Sequence, residues 1–395
     1  MAISASALVV AVDALRAARA DWRHAEGAVS RVLRAARSLP SRERRAAGEA
    51  AWGVVRGWRA VELCAGASAS DEARVRVWAV MDGAALEERL RAIGDPVERA
   101  AVRHSFPNWL FTRIVAEIGL VEAEAFAAAC AKRPPMTVRT NAARISRDAL
   151  RERLATEGVA STPTPLTPDG LRLDGHPNLR ALACWKEGLL EAQDEGSQLV
   201  ASMVDAPGGG LVVDACAGAG GKTLALAARA RGGRVVALDV DARRIAELRE
   251  RARRAGASAI ETALVAADAP APARLRDAAD RVLIDAPCSG TGVLRRHPAL
   301  RFALVEAEVD ALPARQVELC VRFAACVRPG GRLIYATCSV LRSENEEVVA
   351  MTLRKRPELR LVETRRLWPQ RDETDGFFVG VLERAGAPAT SSTPP

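Results

Sequence analysis

Tyrosine is almost missing from this chain. Tyr335 is the only one in 395 residues, and Phe, Trp and Tyr together make up 4%. Stacking platforms for bases are therefore scarce, so any contact with nucleic acid has to lean on arginine reaching backbone and shape. Lysine is nearly as rare: Lys132, Lys186, Lys222 and Lys355 are the only ones among 57 basic side chains. No apolar run is long enough to cross a bilayer. The opening run, Ala7 to Val12, is short, has no basic lead-in and meets Asp13, so a secretory signal is not expected. The expected location is the cytoplasm, with no membrane partner. Eight cysteines contain no C-x-x-C pair, which removes the spacing support for a zinc site. Without export a disulfide framework is not expected either.

What is present is ample for several domains. The chain is 49% hydrophobic and 27% charged, with a formal net charge of +8 and pI ≈ 9.4. That balance favours a polyanionic partner, although an arginine- and alanine-rich composition is also what a GC-rich genome produces. The excess charge is spread along the chain and forms no basic tail.

Residues 1–132 read as helix throughout. Ala7, Val10, Leu15 and Ala18 mark one amphipathic helix, and Val29, Val32, Leu33 and Ala36 another. Ser41 is expected to cap a third that runs to Trp58, and Leu110 to Ile118 continue the period after Pro107. Pro134-Pro135 ends the helical region. Residues 133–195 predict a small α+β insert: a strand at Met136–Arg139, a helix at Asp148–Glu157, and a hairpin turning through Pro168-Asp169-Gly170. From 196 to 385, apolar runs at 211–213, 235–238, 262–266, 282–284 and 333–335 alternate with helical patterns. This predicts βαβ units and a parallel sheet, with strands near 358–362 and 377–382 completing one edge. The tail 386–395, mostly Ala, Pro, Ser and Thr, is expected to be disordered.

Within that α/β region, Asp214-Ala215-Cys216-Ala217-Gly218-Ala219-Gly220-Gly221-Lys222-Thr223 joins the first strand to a helix. Glycines let backbone approach a ligand, and the helix N-terminus offers free N–H groups. A phosphate-binding P-loop would need glycine where Cys216 stands, and the dinucleotide pattern would need glycine at Thr223, so neither fits. A nucleoside site without pyrophosphate remains. Asp239, 21 residues past Gly218, has the spacing of a carboxylate that grips ribose hydroxyls, and Asp268 at the end of the third strand suits an adenine. S-adenosylmethionine meets these needs: ribose, adenine and a sulfonium, without phosphates.

Cys64, Cys130, Cys184, Cys320 and Cys326 lie in apolar helical patterns and read as small buried hydrophobes, and Cys216 as packing within the turn. Cys288 and Cys338 instead follow strands, among Ser, Thr, Pro and Gly neighbours. Two thiols on the ligand side of a sheet suit methylation of a pyrimidine. A thiolate adds to carbon 6, carbon 5 becomes nucleophilic, and a base then removes the carbon-5 proton so that the thiol leaves. Asp285 is placed for the amino and N3 edge of the ring and Lys222 for its carbonyl oxygen. Either cysteine serves as attacker on this logic alone. Arg295, Arg296 and His297 follow Cys288 and suit thiolate stabilisation or phosphate contact.

These residues resemble a family, the Nop/Sun RNA (cytosine-5-)-methyltransferases, and within it the RsmB (Sun/Fmu) type. The matching segments are Glu195-Gly-Ser-Gln198, Asp214 to Thr223, Asp239 to Arg243, Asp285 to Gly292, Arg295 to Pro298, Arg328 to Gly331, Tyr335 to Ser339, Ser343 to Glu346 and Asp375 to Phe378. Ser105 to Leu110 matches the family's helical domain. The resemblance implies a Rossmann-like S-adenosylmethionine-dependent methyltransferase domain, an N-terminal all-α NusB-like RNA-binding bundle and a small α+β RNA-binding insert. It implies that Cys216, Ala217, Gly218, Ala219, Gly220, Gly221, Lys222, Asp239, Asp268 and Asp285 line the cofactor site. It also makes Cys338 the nucleophile and Cys288 the residue that aids release. The implied partner is RNA, first of all 16S ribosomal RNA, and a monomer is expected. Transfer RNA as substrate, a non-catalytic assembly factor and a DNA methyltransferase are the alternatives. Ala219 stands where the family usually has proline, which is expected to loosen the turn.

Overall fold

In the computed structural model, residues 3–230 and 232–386 are described. The expected disorder of the tail concerns residues that, apart from Gly386, lie outside them. The chain divides into two compact units, one comprising residues 1–133 with 290–310, the other 134–289 with 311–395. The first unit therefore takes in a segment from the middle of the predicted α/β region. That segment packs among helices: Ala299 is fully buried in the helical core, and the buried Arg301 donates from Nη1 to the carbonyl of His104 at 3.1 Å.

The helical unit contains α1 (Ala5–Ala20), α2 (Ala25–Ala35), α3 (Ser41–Arg56), α4 (Trp58–Ala65), α5 (Asp71–Val80), α6 (Gly83–Leu90), α7 (Pro96–Arg103), α8 (Asn108–Ile118) and α9 (Leu120–Ala131). Side-chain caps at Ser4, Ser70, Asp82 and Asp95 satisfy first-turn N–H groups. Ser41 is not such a cap. Pro40 occupies the N-cap with no side-chain bond, and the pattern read as one helix to Trp58 breaks at Gly57. The core is built largely of small residues, including Ala11, Ala14, Ala18, Ala47, Ala50 and Ala51, which lets helix axes come close. At Gly53 the approach is closest, since a Cβ would lie 2.1 Å from the Trp78 ring.

The second unit opens with a four-stranded antiparallel sheet ordered β2-β3-β1-β4, from β1 (Met136–Thr140), β2 (Ser161–Pro163), β3 (Gly170–Leu173) and β4 (Leu190–Ala192). The helix α10 (Arg147–Thr156) packs Leu150 and Leu154 on it. After α11 (Glu195–Met203) the main sheet runs through β5 (Leu211–Asp214), β6 (Arg234–Asp239), β7 (Ile260–Leu264), β8 (Ala279–Asp285), β9 (Val327–Thr337), β10 (Leu359–Leu367) and β11 (Phe377–Arg384). Its order is β10-β11-β9-β8-β5-β6-β7. The five strands β5 to β9 pair in parallel, while β10 and β11 form the expected edge but run antiparallel, so the sheet is mixed. Central strands are apolar on both faces, as burial under helices on both sides requires. From β5 the chain lays β6 and β7 on one side and then crosses to β8 on the other. The carboxyl ends of β5 and β8 therefore flank the point where the strand order reverses, the place such sheets leave open for ligands. No helix among the described residues is long and apolar enough to cross a membrane.

Candidate active site

A cavity of about 1530 Å³ opens at the carboxyl ends of β5, β6 and β8. Its lining includes Cys216, Ala217, Gly218, Ala219, Gly221, Lys222, Asp239, Asp268, Asp285, Cys288 and Cys338. Gly220 is not among them. It holds φ +88°, and a Cβ there would sit 2.6 Å from Leu248 Cγ, so its glycine serves the turn and the packing beneath it. Gly218, at φ +53°, has nothing within 4 Å of an added Cβ on the protein side.

The turn is held from both ends. Gly218 N–H donates to Asp239 Oδ2 at 2.7 Å, while the other oxygen of Asp239 accepts Asp241 N–H at 2.8 Å. Each oxygen keeps acceptor capacity for a hydroxyl. Arg251 Nη1 donates to the carbonyl of Ala219 at 2.7 Å, and its Nη2 donates to Oε2 of the buried Glu191 at 3.0 Å. That bond restrains the turn where proline was missed, a contact between distant segments that spacing alone does not reveal. Asp268 lies beyond the end of the third strand, because β7 stops at Leu264. It occupies an exposed loop that still lines the cavity. Open backbone at Gly218 and three carboxylates at Asp239, Asp268 and Asp285 fit a nucleoside bearing a positive charge.

Below the cavity, Asp214 is fully buried and accepts from Thr223 Oγ1 at 2.7 Å. Burial, more than that bond can offset, pushes its carboxyl up to about 7. Burial also raises the Cys216 thiol, with the carboxylates of Asp214, Asp285 and Asp239 adding to it, so this sulfur is kept neutral. Lys222 Nζ donates to Asp285 Oδ2 at 2.7 Å and lies 5.3 Å from the Phe377 ring centroid. Burial opposes the Lys222 charge, but Asp285 and then Cys338 hold its pKa above the ordinary value.

The two expected thiols meet. Asp285 pairs in register with Ala336, so the loops after β8 and β9 leave the sheet at the same level. Cys288 Sγ and Cys338 Sγ are 3.4 Å apart, and both are partly exposed on the cavity. Glu344 fixes this arrangement. It is fully buried; its Oε1 accepts Ser289 N–H at 2.9 Å and Gln316 Nε2 at 3.0 Å, and its Oε2 accepts Ser289 Oγ and Ser339 Oγ, each at 2.5 Å. Ser289 follows one cysteine and Ser339 the other, so one carboxylate ties both loops. Asn345 adds a bond from Nδ2 to the Ser339 carbonyl at 3.0 Å and accepts Thr337 Oγ1 at 2.6 Å. Glu344 carried no role in the sequence reading beyond its place in the Ser343–Glu346 segment.

The remaining cysteines divide as their patterns suggested, with one exception. Cys130, Cys184, Cys320 and Cys326 are buried, and burial raises the thiols of Cys184 and Cys320 to about 12 and Cys326 to about 11. Cys64 is only partly buried. His297 belongs to the helical unit, where its Nδ1 lies 3.2 Å from Glu26 Oε1.

Comparison with known proteins places these features among relatives. The family 16S rRNA methyltransferase RsmB/F matches residues 202–383, and its ferredoxin-like domain matches residues 106–180. The ribosomal RNA small subunit methyltransferase B of Pseudomonas syringae pv. tomato is 34% identical over 322 residues, covering 75% of this chain and 70% of that protein. The crystal structure of PH0851 superposes with a TM-score of 0.84 at 23% identity, over 97% of this chain and 100% of that one. A methyltransferase homologue from Pyrococcus horikoshii has a TM-score of 0.64 at 24% identity, over 73% and 99%. These two structural likenesses bear on the fold.

Proposed function

Because the chain belongs to the family of ribosomal RNA small subunit methyltransferases B, we propose that it methylates carbon 5 of a cytosine in 16S ribosomal RNA, with Cys338 as the attacking sulfur and Cys288 as the group that frees the product. The chain is an S-adenosylmethionine-dependent RNA methyltransferase. The observation that carries the finer reading is the 3.4 Å pairing of Cys288 and Cys338 inside the cavity that holds the glycine turn.

Bound S-adenosylmethionine supplies an electrophilic methyl carbon. Ala217, Gly218, Ala219, Gly221, Asp239, Asp268 and Asp285 are the residues that would hold it. The protein's own part begins with Cys338, whose sulfur adds to carbon 6 of the ring and turns carbon 5 into an enamine nucleophile. The Lys222 ammonium, paired with Asp285, presents with it a donor and an acceptor to the polar edge of the base. After carbon 5 carries its new methyl, Cys288 takes the carbon-5 proton. The electrons of that C–H bond restore the ring double bond, and the bond from carbon 6 to Cys338 breaks. The base reaches the cavity by being flipped out of its strand, and the helical unit and the four-stranded sheet hold the surrounding RNA. A ribosomal substrate puts this work in the cytoplasm.

The test is methyl transfer from labelled S-adenosylmethionine to small-subunit RNA, followed by position-resolved detection of 5-methylcytosine. Wild-type protein should mark a cytosine, and Cys338→Ala should abolish the mark while cofactor affinity persists. Full activity in Cys338→Ala would overturn the assignment of the attacker.

A further inference from the structure

The helical unit carries a hollow of about 470 Å³ that the reaction described above does not use. It lies at the junction of the end of α2, the loop after it and the first turn of α3. Arg34, Arg37, Arg44 and Arg45 line it together with Ser30, Trp52 and a few others. Arg44 is committed to the fold, since its Nη1 donates to the carbonyls of Leu39 at 2.5 Å and Arg37 at 3.3 Å. The other three are exposed, and among the described residues none of them makes an ion pair.

Other arginines of this unit are neutralised by neighbours. Arg19, Arg74, Arg76, Arg103 and Arg113 each pair with a carboxylate. The one acidic residue lining the hollow, Glu26, is turned to His297, whose ring nitrogen lies 3.2 Å away. Although burial works against it, the His297 bond lowers the Glu26 pKa, so the carboxylate is charged and already engaged. Three cations without partners around a concave surface leave a field that an anion can satisfy. Trp52 adds a second kind of recognition. It is half-buried and packs against the alanine-rich core, so its ring is a fixed apolar plate at the wall of a cationic hollow. A plate beside guanidinium groups suits a base stacked next to its own phosphates.

We propose that this hollow is a docking site for single-stranded RNA, with Arg34, Arg37 and Arg45 on consecutive phosphates and Trp52 under a base. The proposal rests on the RNA methyltransferase reading but assigns a contact away from the thiols. It supplies affinity and takes no part in bond making.

The test uses the full-length protein and a fluorescent single-stranded RNA of about 20 nucleotides, with anisotropy measured across a salt series. Combining Arg34→Ser, Arg37→Ser and Arg45→Ser should weaken binding at least about tenfold and flatten the slope of log affinity against log salt by about two. Trp52→Leu should weaken binding about fivefold or more at unchanged slope, and Trp52→Phe should restore most of it. In the methylation assay the arginine variant should raise KM for RNA and leave kcat at saturating RNA unchanged. Affinity and salt slope equal to wild type in the arginine variant would overturn the proposal, whatever the methylation result. Absence of methyl transfer by wild-type protein that still binds RNA through these residues would instead overturn the catalytic reading and leave this site standing.

Discussion

Cys288 Sγ lies 3.4 Å from Cys338 Sγ, although fifty positions separate them in the chain. Parallel pairing of β8 with β9 brings their ends level, and the loops beyond them converge. Two thiols this close are one oxidation away from a covalent link. Treating the protein with diamide, which accepts the two electrons and two protons released, should join Cys288 to Cys338 and stop methyl transfer, with dithiothreitol restoring it. Peptide mapping should find that crosslink ahead of any involving Cys184, Cys320 or Cys326, whose thiols burial keeps protonated. An oxidised protein that keeps full activity would contradict the shared site.

Glu344 accepts two N–H donors on one oxygen and two hydroxyls on the other. A glutamine can keep its oxygen toward the N–H groups and turn its amide nitrogen to hydroxyls that then accept. Glu344→Gln should therefore keep most of kcat and nearly the wild-type Tm. Glu344→Ala leaves those buried groups without partners, and displacement of the two thiol loops by about 1 Å should lower kcat roughly 100-fold. Cofactor affinity, read by calorimetry, should change far less than kcat. Equal losses in both would make Glu344 a general stabiliser only.

Asp214 gives the stability a pH signature. Its folded pKa of about 7 lies above the ordinary 3.8, so the folded state holds the proton more tightly than the unfolded one. Its contribution is complete below about pH 4, declines as pH rises toward 7 and is gone above that. Urea unfolding of wild type should lose roughly 3 kcal/mol between about pH 5 and pH 8 relative to Asp214→Asn, using about 1.4 kcal/mol per pKa unit. Parallel curves for the two proteins would rule out the buried carboxylic acid.

Neighbouring glycines in the turn should fail differently. Gly220→Ala forces a left-handed residue into Leu248 and should cost roughly 2–4 kcal/mol of stability. Gly218→Ala carries only the conformational cost of about 1–2 kcal/mol, but its methyl group faces the cavity and should weaken S-adenosylmethionine binding. Thermal melts and calorimetry on the two variants separate the effects, and the reverse pattern would contradict the placement of the turn.

Much of this was legible in residues. Strand and helix alternate where apolar runs and turn signals alternate, and Cys288 and Cys338 betray themselves by polar neighbours after strands. Other features depend on contacts that spacing does not encode. Glu344 is one acid among 49, and its burial needs donors from the loops at 289 and 339 and from the helix bearing Gln316. The packing of residues 290–310 with the helices depends on partners such as His104, nearly two hundred positions away. Asp268 was misplaced because β7 is short and ends before the apolar run does.

The most direct test of the account is a denaturing gel of Cys288→Ala incubated with target RNA and S-adenosylmethionine. With the attacking sulfur intact and the releasing group gone, a covalent protein–RNA band should accumulate, and Cys338→Ala should show none. A Cys288→Ala protein that turns over freely without forming the band, or a Cys338→Ala protein that still forms it, would contradict the roles assigned to the two sulfurs.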